Sequence, residues 1–489
     1  MAQLGSWQEV VSEARPRVSE VSIYDLHAMR MANPLLLLLD VREDYEAAKL
    51  PFPAWYNSIR VGRGVLERNI KTAVPDIERE IVVVCAGGMR SVKVCEVMQI
   101  MGYKKVHSLK EGIGAVTAGY VTAKPGISRG FVESVGNTPL IRLNKLSDET
   151  GCEILGKAEF MNPGGSVKDR PALHLIQDGE RRGLIKPGCT ITEATSGNTG
   201  IGLAHVCNVR GYKLICCMPR TMAKEKQDTL KQLGAQLVLT EPMPLRDPTT
   251  GKPNMMHYHN LAPKIATDAV AQGKNYFCVN QWQNTANRTA HYLSTGPEIL
   301  HQTGGKIDAF CCATGTGGTI GGVSRFLKEN SPKTKVILLD CFGSALYNFR
   351  KEGIPDPNDK VLAGEKWCKK PKMAPGSSPA TEGIGNSIVT ENMEGMHEYT
   401  DDAMQVHDHD AIKMVHKLLH DEGIFVGGSA GLNVAGAVAL AKKMGPGHTI
   451  VTILCDGGFR YGTKLFNKAW LKDKGYLDIL PPEHQASCC

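Results

Sequence analysis

Beyond residue 125 the chain repeats one pattern, in which a short apolar run ends in a glycine-containing loop that opens a helix-like stretch. The pattern occurs at 189–209, with the loop 195–200, and again at 307–328, with the loop 315–319. Strands and helices that alternate along a chain are typical of a mostly parallel sheet covered by helices on both faces. In such α/β folds ligands bind beyond the carboxyl ends of the strands, so both loops are predicted to lie at a binding cleft.

The two loops differ in the chemical groups that they can bind. Loop 195–200 combines hydroxyl groups with backbone amides, which suits an anion such as an amino-acid carboxylate. Loop 315–319 places three glycines and two threonines at a helix N-terminus, which is typical of a phosphate cradle built from backbone N–H groups. Its spacing fits neither the dinucleotide fingerprint nor the P-loop. A small phosphorylated cofactor is therefore predicted.

Lys168 follows a turn that contains Gly164 and Gly165, and it stands where a helix is predicted to begin. A lysine in a dry, enclosed site loses its charge more easily and can then form a Schiff base with a bound carbonyl. An ordinary surface lysine on a first helical turn would have the same local sequence. The three later glycine-rich loops favour the functional interpretation.

A further stretch, 424–431, is predicted to form a strand, a glycine turn and a helix, and it contains Ser429. Its sequence also fits the G-x-S-x-G elbow of α/β-hydrolases. That alternative needs an acid and then a histidine downstream. Asp456 could be the acid, but the histidine after it is His484, in a segment led by two prolines. The hydrolase is therefore disfavoured.

Together these motifs resemble the cysteine synthase and cystathionine β-synthase family, over residues about 130 to 472, and Asn137-Thr138-Pro139-Leu140 matches the family's opening signature. The resemblance implies pyridoxal 5′-phosphate as cofactor and a tryptophan-synthase-β-like fold with two parallel-sheet subdomains.

The resemblance also implies roles for single residues. Lys168 would carry the cofactor and shuttle the α-proton. Asn198 would bond the cofactor's ring oxygen, and Ser429 would face its pyridine nitrogen. The phosphate would lie among Gly315, Thr316, Gly317, Gly318 and Thr319. The substrate carboxylate would lie among Thr195, Ser196, Thr199 and Gln281, with Gly383 lining the same cleft.

The reaction that the resemblance implies is loss of a β-leaving group, which gives an aminoacrylate, followed by addition of sulfide or a thiol. With O-acetylserine and sulfide the product is L-cysteine. An L-cysteine desulfhydrase, which releases sulfide, pyruvate and ammonia, and a cystathionine β-synthase use the same residues. Segments 350–381, 427–431 and 455–461 resemble a subgroup that contains cysteine synthases and cysteine desulfhydrases. The chain lacks an energy-sensing pair of modules after this region and an evident haem-ligating extension, which disfavours the regulated cystathionine synthase.

The first 120 residues predict a separate small α/β unit, with buried strands at 35–41 and 81–84. Cys85 ends the second run in a glycine loop that opens a helix, so backbone N–H groups and the helix dipole favour its thiolate. Four residues separate Cys85 from Arg90, one fewer than in tyrosine-phosphatase-like loops. With the run Asp40-Val41-Arg42-Glu43, this unit resembles the rhodanese sulfurtransferases, whose cysteine carries a persulfide. Residues 50–54 and Ala86 depart from the family pattern, which leaves an inert docking domain or a non-catalytic scaffold as the alternative.

These assignments predict an N-terminal extension at 1–18, a rhodanese-like domain at 19–122, a Pro-Gly linker at 123–129, a cysteine-synthase-like domain at 130–476 and a tail at 477–489. The formal net charge is +7 and no dense basic stripe is present, so small amino-acid and sulfur substrates are favoured over nucleic acid. The longest aliphatic run, 35–39, is too short to span a membrane, and the N-terminus is unlike a signal peptide. A cytoplasmic protein is expected, and the family resemblance implies a homodimer.

The 15 cysteines contain no C-x-x-C pair, and several lie in apolar strand-like runs, so reduced and buried thiols are predicted. Two histidine pairs, His257 with His259 and His407 with His409, have spacings that a metal could use. Solvated turns account for them equally well. No native metal site is predicted.

Overall fold

The computed structural model describes residues 7–22, 25–26, 29, 33, 36–49, 58–110, 112–113, 128, 130–195, 197–245, 252–352, 366–367, 381–386 and 388–485. Contacts divide the chain into two compact units, Met1–Pro125 and Gly126–Cys489. Within the described ranges, no helix has both the length and the apolar composition needed to cross a membrane.

The first unit contains a five-stranded sheet in which every pair is parallel. Its strands are β1 (Ser19–Val21), β2 (Leu37–Asp40), β3 (Ser58–Arg60), β4 (Ile81–Val84) and β5 (Val106–Leu109), in the order β1-β5-β4-β2-β3. The described helices are α1 (Trp7–Ala14), α2 (Asp44–Lys49), α3 (Leu66–Ala73) and α4 (Met89–Ile100). The apolar runs predicted as β2 and β4 are buried along their whole length, as expected for strands covered on both faces.

Helix α1 belongs to the core of this first unit. Val11, Ala14 and Val18 are buried and pack with the side chains of β2 and β4. The predicted extension at 1–18 is therefore wrong for residues 7–18, because burial of these apolar side chains makes the segment part of the domain.

The second unit contains two larger sheets. Their strands are β6 (Leu140–Arg142), β7 (Glu153–Lys157), β8 (Thr190–Ala194), β9 (Lys213–Pro219), β10 (Gln236–Thr240), β11 (Tyr276–Cys278), β12 (Ala309–Ala313), β13 (Lys335–Cys341), β16 (Asp402–Val406) and β17 (Thr449–Ile453), and a small antiparallel pair is formed by β14 (Lys366–Trp367) and β15 (Ile388–Val389). The four-stranded sheet is parallel and has the order β10-β9-β8-β11. The six-stranded sheet has the order β16-β13-β12-β17-β7-β6, and it is parallel except for the edge pair of β6 and β7.

Helices alternate with these strands, which confirms the predicted α/β class with two parallel sheets. In chain order they are α5 (Phe131–Ser134), α6 (Asn144–Thr150), α7 (Asp169–Arg181), α8 (Asn198–Arg210), α9 (Lys224–Gln232), α10 (Tyr258–Ala271), α11 (Ala286–Ala290), α12 (Gly296–Gln302), α13 (Gly318–Asn330), α14 (Leu346–Glu352), α15 (Met396–Tyr399), α16 (Asp408–Glu422), α17 (Gly428–Met444), α18 (Lys468–Asp473) and α19 (Pro482–Gln485). One core packs α7 and α8 on the four-stranded sheet, and a second packs α17 on the six-stranded sheet.

Two predictions for the second unit are wrong. The segment 424–426 is not a strand, because Val426 makes only an isolated antiparallel bridge with Gly457. Ile424 and Val426 are buried in the core between helices α16 and α17 and the six-stranded sheet, and burial alone gives a short run the same apolar pattern that a strand has. The predicted tail begins inside the fold, because Leu477 and Leu480 are buried against α16 and the segment around α18.

Candidate active site

A cavity of about 460 Å³ in the second unit is lined by residues that follow strands of both large sheets. This is the position expected for a ligand in an open α/β fold. The cavity brings together most of the site residues predicted from the sequence: Lys168, Thr195, Asn198, Thr199, Gln281, Gly315, Thr316, Gly317, Thr319, Gly383 and Ser429. Gly318 lies just behind it as the first residue of α13, and Ser196 lies outside the described residues.

Lys168 lies at the N-terminal edge of α7 and is half-buried. Burial lowers the pKa of its amine. The loop before it is fixed by backbone hydrogen bonds, since Val167 N donates to Cys455 O at 2.8 Å and Gly164 N donates to Asp169 Oδ2 at 2.5 Å. A cation that is partly desolvated gives up its proton more readily, so the predicted nucleophilic character of Lys168 has a physical basis here.

A buried ion cluster lies under the first turn of α7. Arg170 makes two hydrogen bonds to Glu159, at 2.7 and 2.8 Å, and two to Glu298, at 2.6 and 2.7 Å. Lys157 also approaches Glu298, at 2.6 Å. Because breaking a buried pair leaves an uncompensated charge, the cluster holds the helix that begins at Lys168 in a fixed position.

The loop 315–319 has the geometry of an anion cradle. Gly317 has φ +84°, a conformation that favours glycine, and α13 begins directly after it. A Cβ on Gly315 would lie 2.3 Å from the carbonyl oxygen of Gly383, and one on Gly318 would lie 2.0 Å from Asn287 Oδ1. Side chains are therefore excluded at these positions, which leaves the N-terminal N–H groups of the helix open toward the cavity.

The loop after β8 and the turn after β11 meet across the cavity. Thr199 Oγ1 donates to Gln281 Oε1 at 2.5 Å, and Gln281 Nε2 donates to Ala194 O at 2.8 Å. Thr195 Oγ1 accepts from Gly197 N at 3.0 Å and so braces its own loop. Because the Thr199 hydroxyl proton is engaged by Gln281, a carboxylate bound here would take its hydrogen bonds from the Thr195 hydroxyl and the Gln281 amide, or displace the Thr199–Gln281 pairing.

Asn198 is already engaged by two neighbours. Its Nδ2 donates to Asp456 Oδ2 at 2.7 Å, and its Oδ1 accepts from Arg460. Tyr461 also donates to Asp456 Oδ2, at 2.7 Å. One N–H of the Asn198 amide therefore remains for a ligand in the cavity.

In the first unit, Cys85 directly follows β4, and its sulfur accepts hydrogen bonds from Gly88 N at 3.1 Å and Ser91 N at 3.4 Å. The predicted orientation of backbone N–H groups toward this sulfur is present, although the residue is only 1% exposed. Arg90 is paired with Glu46 through hydrogen bonds of 2.6 and 2.7 Å. The hydrogen bond from Arg90 lowers the pKa of Glu46 to about 2. Residues 50–54, which depart from the rhodanese pattern, lie outside the described part of the chain.

Comparison with known proteins identifies both units. The family model described as "pyridoxal-phosphate dependent enzyme" matches residues 132–456, and the rhodanese-like domain model matches residues 22–118. Cysteine synthase 1 of Neurospora crassa is 46% identical over 365 residues, which are 74% of this chain and 90% of the relative. Cysteine synthase 1 of Emericella nidulans is 44% identical over 74% of this chain and 90% of that protein.

The chain belongs to the pyridoxal-phosphate-dependent enzyme family. Its N-terminal unit is rhodanese-like. A solved structure described as a hydrogen sulfide-producing enzyme from Fusobacterium nucleatum is 32% identical, covers 68% of this chain and all of the solved chain, and has a TM-score of 0.55. The predicted family, cofactor and rhodanese-like fusion are thus confirmed.

The residues in the cavity fit pyridoxal phosphate. Without side chains at Gly315 and Gly318 the loop packs closely against Gly383 and Asn287 and lines the cavity with backbone, which suits a phosphate. Lys168 lines the same cavity with a lowered pKa. Thr314 Oγ1 is buried without a hydrogen-bond partner among the described residues, so the cavity wall has an unused polar atom. Ser429 lines the cavity next to the Cys455 thiol, whose pKa is raised to about 12, mainly by burial.

Several cavity residues were missed by the sequence analysis. Lys226 and Glu382 line the cavity and form an ion pair of 2.7 Å, and Lys226 also donates to Tyr461 at 3.0 Å. Trp282 lines the wall beside Gln281. A partial signal was available at Gly197, whose φ is +135° and whose added Cβ would meet the Lys226 side chain at 2.5 Å. A glycine can indicate close approach, but not which side chain approaches.

The predicted histidine pairs contact aromatic rings. His259 lies 4.2 Å from the Trp282 ring, and His407 lies 3.8 Å from Phe342, between ring centroids. Within the part of the chain that the structure describes, no group of three His, Cys, Asp or Glu side chains could hold a metal ion.

Proposed function

We propose that this chain makes L-cysteine from O-acetylserine and sulfide, and that the attached rhodanese-like domain handles sulfur. The observation that carries the proposal is the convergence in one cavity of Lys168, the glycine cradle of loop 315–319 and the pair Thr199–Gln281. The relatives named cysteine synthase, which are 44 to 46% identical, support this choice of reaction.

The cofactor-holding residues in this proposal are Lys168, Asn198, Gly315, Thr316, Gly317, Gly318, Thr319 and Ser429. Pyridoxal phosphate, when bound, supplies an electron-withdrawing ring that stabilises negative charge on the α-carbon of an amino acid. The backbone N–H groups of loop 315–319 would hold the phosphate, and Asn198 and Ser429 would hold the ring. A neutral hydroxyl at Ser429 does not protonate a ring nitrogen, which favours β-chemistry.

The remaining residues bind the substrate and move its proton. Thr195, Ser196, Thr199 and Gln281 would bind the substrate carboxylate, with Gly383 lining the cleft. Burial lowers the pKa of Lys168, which favours the uncharged amine that would remove the α-proton and later return it. Acetate leaves from the β-carbon, and sulfide adds to the same carbon.

L-cysteine desulfhydration is the second candidate function. It would use the same residues for β-elimination of the thiol from L-cysteine, which releases sulfide, pyruvate and ammonia. The specific observation in its favour is the likeness to the solved hydrogen sulfide-producing enzyme. Cystathionine formation, with serine and a thiol amino acid as substrates, is the third option at this cavity.

In the first domain, Cys85 would carry a persulfide, with Arg90 as its charged neighbour in the loop. The division into a rhodanese-like and a cysteine-synthase-like domain, with the linker near 123–129, belongs to the same proposal, as do the cytoplasmic location and the homodimer. Size-exclusion chromatography with light scattering tests the dimer, and cell fractionation tests the location.

The deciding experiment measures products from two incubations of the purified holoenzyme. One contains O-acetylserine and sulfide, and the other contains L-cysteine alone. We expect L-cysteine and acetate from the first at a rate well above sulfide release in the second. Faster formation of sulfide and pyruvate from cysteine would favour the desulfhydrase. No product in either incubation, with the cofactor's absorbance intact, would overturn both functions.

A further inference from the structure

Gln281 is held by a hydrogen bond on every polar group that it has. Its side chain bonds Thr199 and Ala194, as described above. Its carbonyl oxygen accepts from Asn287 Nδ2 at 2.8 Å and from Asn392 Nδ2 at 3.0 Å. Its backbone N–H donates to Glu193 Oε2 at 3.2 Å. This residue is therefore placed by a network from several elements of the fold.

Glu193 contributes an ionisable side chain to that network, and it lies outside the cavity. It belongs to β8, is 0% exposed and is joined to the turn that contains Asn280 and Gln281 by the hydrogen bond from Gln281 N. Its Oε1 has no hydrogen-bond partner among the described residues. An unsatisfied polar atom in the interior destabilises the folded state, so a buried carboxyl of this kind calls for a structural or functional explanation.

The turn that Glu193 contacts is strained. Asn280 has φ +50°, in the left-handed region that residues other than glycine rarely adopt. Such a conformation persists only when neighbouring groups hold it. The turn is the point at which the chain leaves β11 and delivers the side chain of Gln281 into the cavity.

We propose that Glu193 is a positioning residue for the substrate carboxylate. Its carboxyl fixes the backbone of the 280–281 turn, so that the amide of Gln281 and the hydroxyl of Thr199 stay paired at the cavity wall. The inference rests on the proposed function in one respect, namely that Gln281 and Thr199 bind the carboxylate. Burial raises the pKa of Glu193 to about 8, so at neutral pH the group holds the turn without placing a negative charge behind the carboxylate site.

The test compares Glu193→Ala, Glu193→Gln and Glu193→Asp in the full-length holoenzyme. Thr192→Val is the matched control: Thr192 is the preceding residue of β8, is also 0% exposed, and loses a buried hydrogen bond to Ala262 O of 3.0 Å. The ligand is L-2-aminobutyrate, an amino acid without a β-leaving group, and its dissociation constant is read from the cofactor's absorbance. Melting temperatures and the kcat and KM of cysteine formation are measured in parallel.

We expect Glu193→Ala to weaken L-2-aminobutyrate binding and to raise KM by about tenfold to a hundredfold, because a shift of about 1 Å in a positioning group has effects of this size. We expect kcat at saturation to change by less than about threefold, since the group acts on binding rather than on the proton transfer. Glu193→Gln keeps an acceptor oxygen and should restore most of the affinity. Glu193→Asp should be intermediate.

Three outcomes would overturn the inference: unchanged amino-acid binding in Glu193→Ala, equal weakening in Thr192→Val at an equal melting temperature, or Gln and Ala variants that bind equally weakly. If Glu193→Ala does not fold, Glu193→Asp takes its place, and amino-acid binding in that variant that is unchanged, or no weaker than in Glu193→Gln, would overturn the inference. The binding measurement needs no turnover. A wild-type protein that binds L-2-aminobutyrate but forms no cysteine would count against the proposed function while leaving the comparison of Glu193 variants valid.

Discussion

Lys226 Nζ donates a hydrogen bond of 2.7 Å to Glu382 Oε2, although 156 residues separate them in the chain. Lys226 is 2% exposed, and its Nζ also lies 4.4 Å from the centroid of the Tyr461 ring. Glu382 accepts a second hydrogen bond from Lys464, at 2.6 Å. Helix α9, which carries Lys226, packs beside the four-stranded sheet, so the pair closes one wall of the cavity between distant segments of the chain.

Replacing Lys226 by methionine should destabilise the protein by about 3 kcal/mol, because it removes one partner of a buried ion pair and leaves Glu382 partly uncompensated. Urea unfolding followed by circular dichroism measures the change. Lys224→Met is the matched control on the same helix. Its partner, Asp228, lies at the surface, and we expect a change below about 0.5 kcal/mol. Equal losses in the two variants would contradict a structural role for the Lys226–Glu382 pair.

Replacing Lys168 by alanine should abolish the covalent attachment of pyridoxal phosphate, since the amine of Lys226, which also lines the cavity, is engaged by Glu382 and Tyr461. The absorbance of the bound cofactor should disappear after dialysis, and cysteine formation should fall by at least about a thousandfold, as for other nucleophile deletions. Lys186→Ala, at the surface beyond α7, serves as the control and should keep both signals. Retained absorbance in Lys168→Ala would show that the cofactor is attached elsewhere.

Glu193→Gln should change how stability depends on pH. The pKa of Glu193 rises from 4.5 to about 8 on folding because of burial. The folded state therefore keeps a proton that the unfolded state releases, and stability falls by up to about 1.4 kcal/mol per pH unit as the pH rises through this window. The glutamine variant lacks this proton linkage, so its stability relative to the wild type should increase from pH 5 to pH 8.

The thiols that face Glu193 do not obscure this effect. Burial raises the pKa of Cys217 and Cys278 to about 12 and that of Cys216 well above its usual value. These groups therefore stay protonated throughout the window. The buried carboxyls of Asp169 and Asp340, each with a pKa raised to about 7, are present in both proteins. Parallel stability curves for variant and wild type would show that Glu193 is ionised in the folded state at neutral pH.

Cys85→Ser should abolish sulfur transfer from thiosulfate to cyanide, because serine cannot hold a persulfide. Cys95→Ser is the control, since the Cys95 thiol is fully buried and its pKa is raised well above the usual value by burial. That variant should retain transfer. Thiocyanate formation is the measurement, with persulfide on Cys85 checked by mass spectrometry. A wild-type protein without thiocyanate formation would favour the docking-only alternative for this domain.

Local motifs in the sequence predicted several strands, glycine loops and helix starts of this protein. The apolar run at 81–84 matches β4, and the loop at 315–319 leads into α13 as expected. Both signals depend on residues that are close in sequence, because a glycine turn and a helix start are set by backbone sterics and capping. The segment 424–426 shows the limit of such signals, since burial against a sheet and membership of a sheet produce the same apolar run.

The sequence by itself determined the α/β class, the cysteine-synthase-like and rhodanese-like motifs and the choice of Lys168, because each of these is written in a few adjacent residues. Only the tertiary structure decided which side chains support the site through hydrogen bonds: Glu193 bonds Gln281, Lys226 bonds Glu382, and Asp456 bonds Asn198. These partners are separated by 88, 156 and 258 residues. Contacts over such distances arise when strands from different parts of the chain pair into sheets, and no local pattern of side chains encodes which of them will meet.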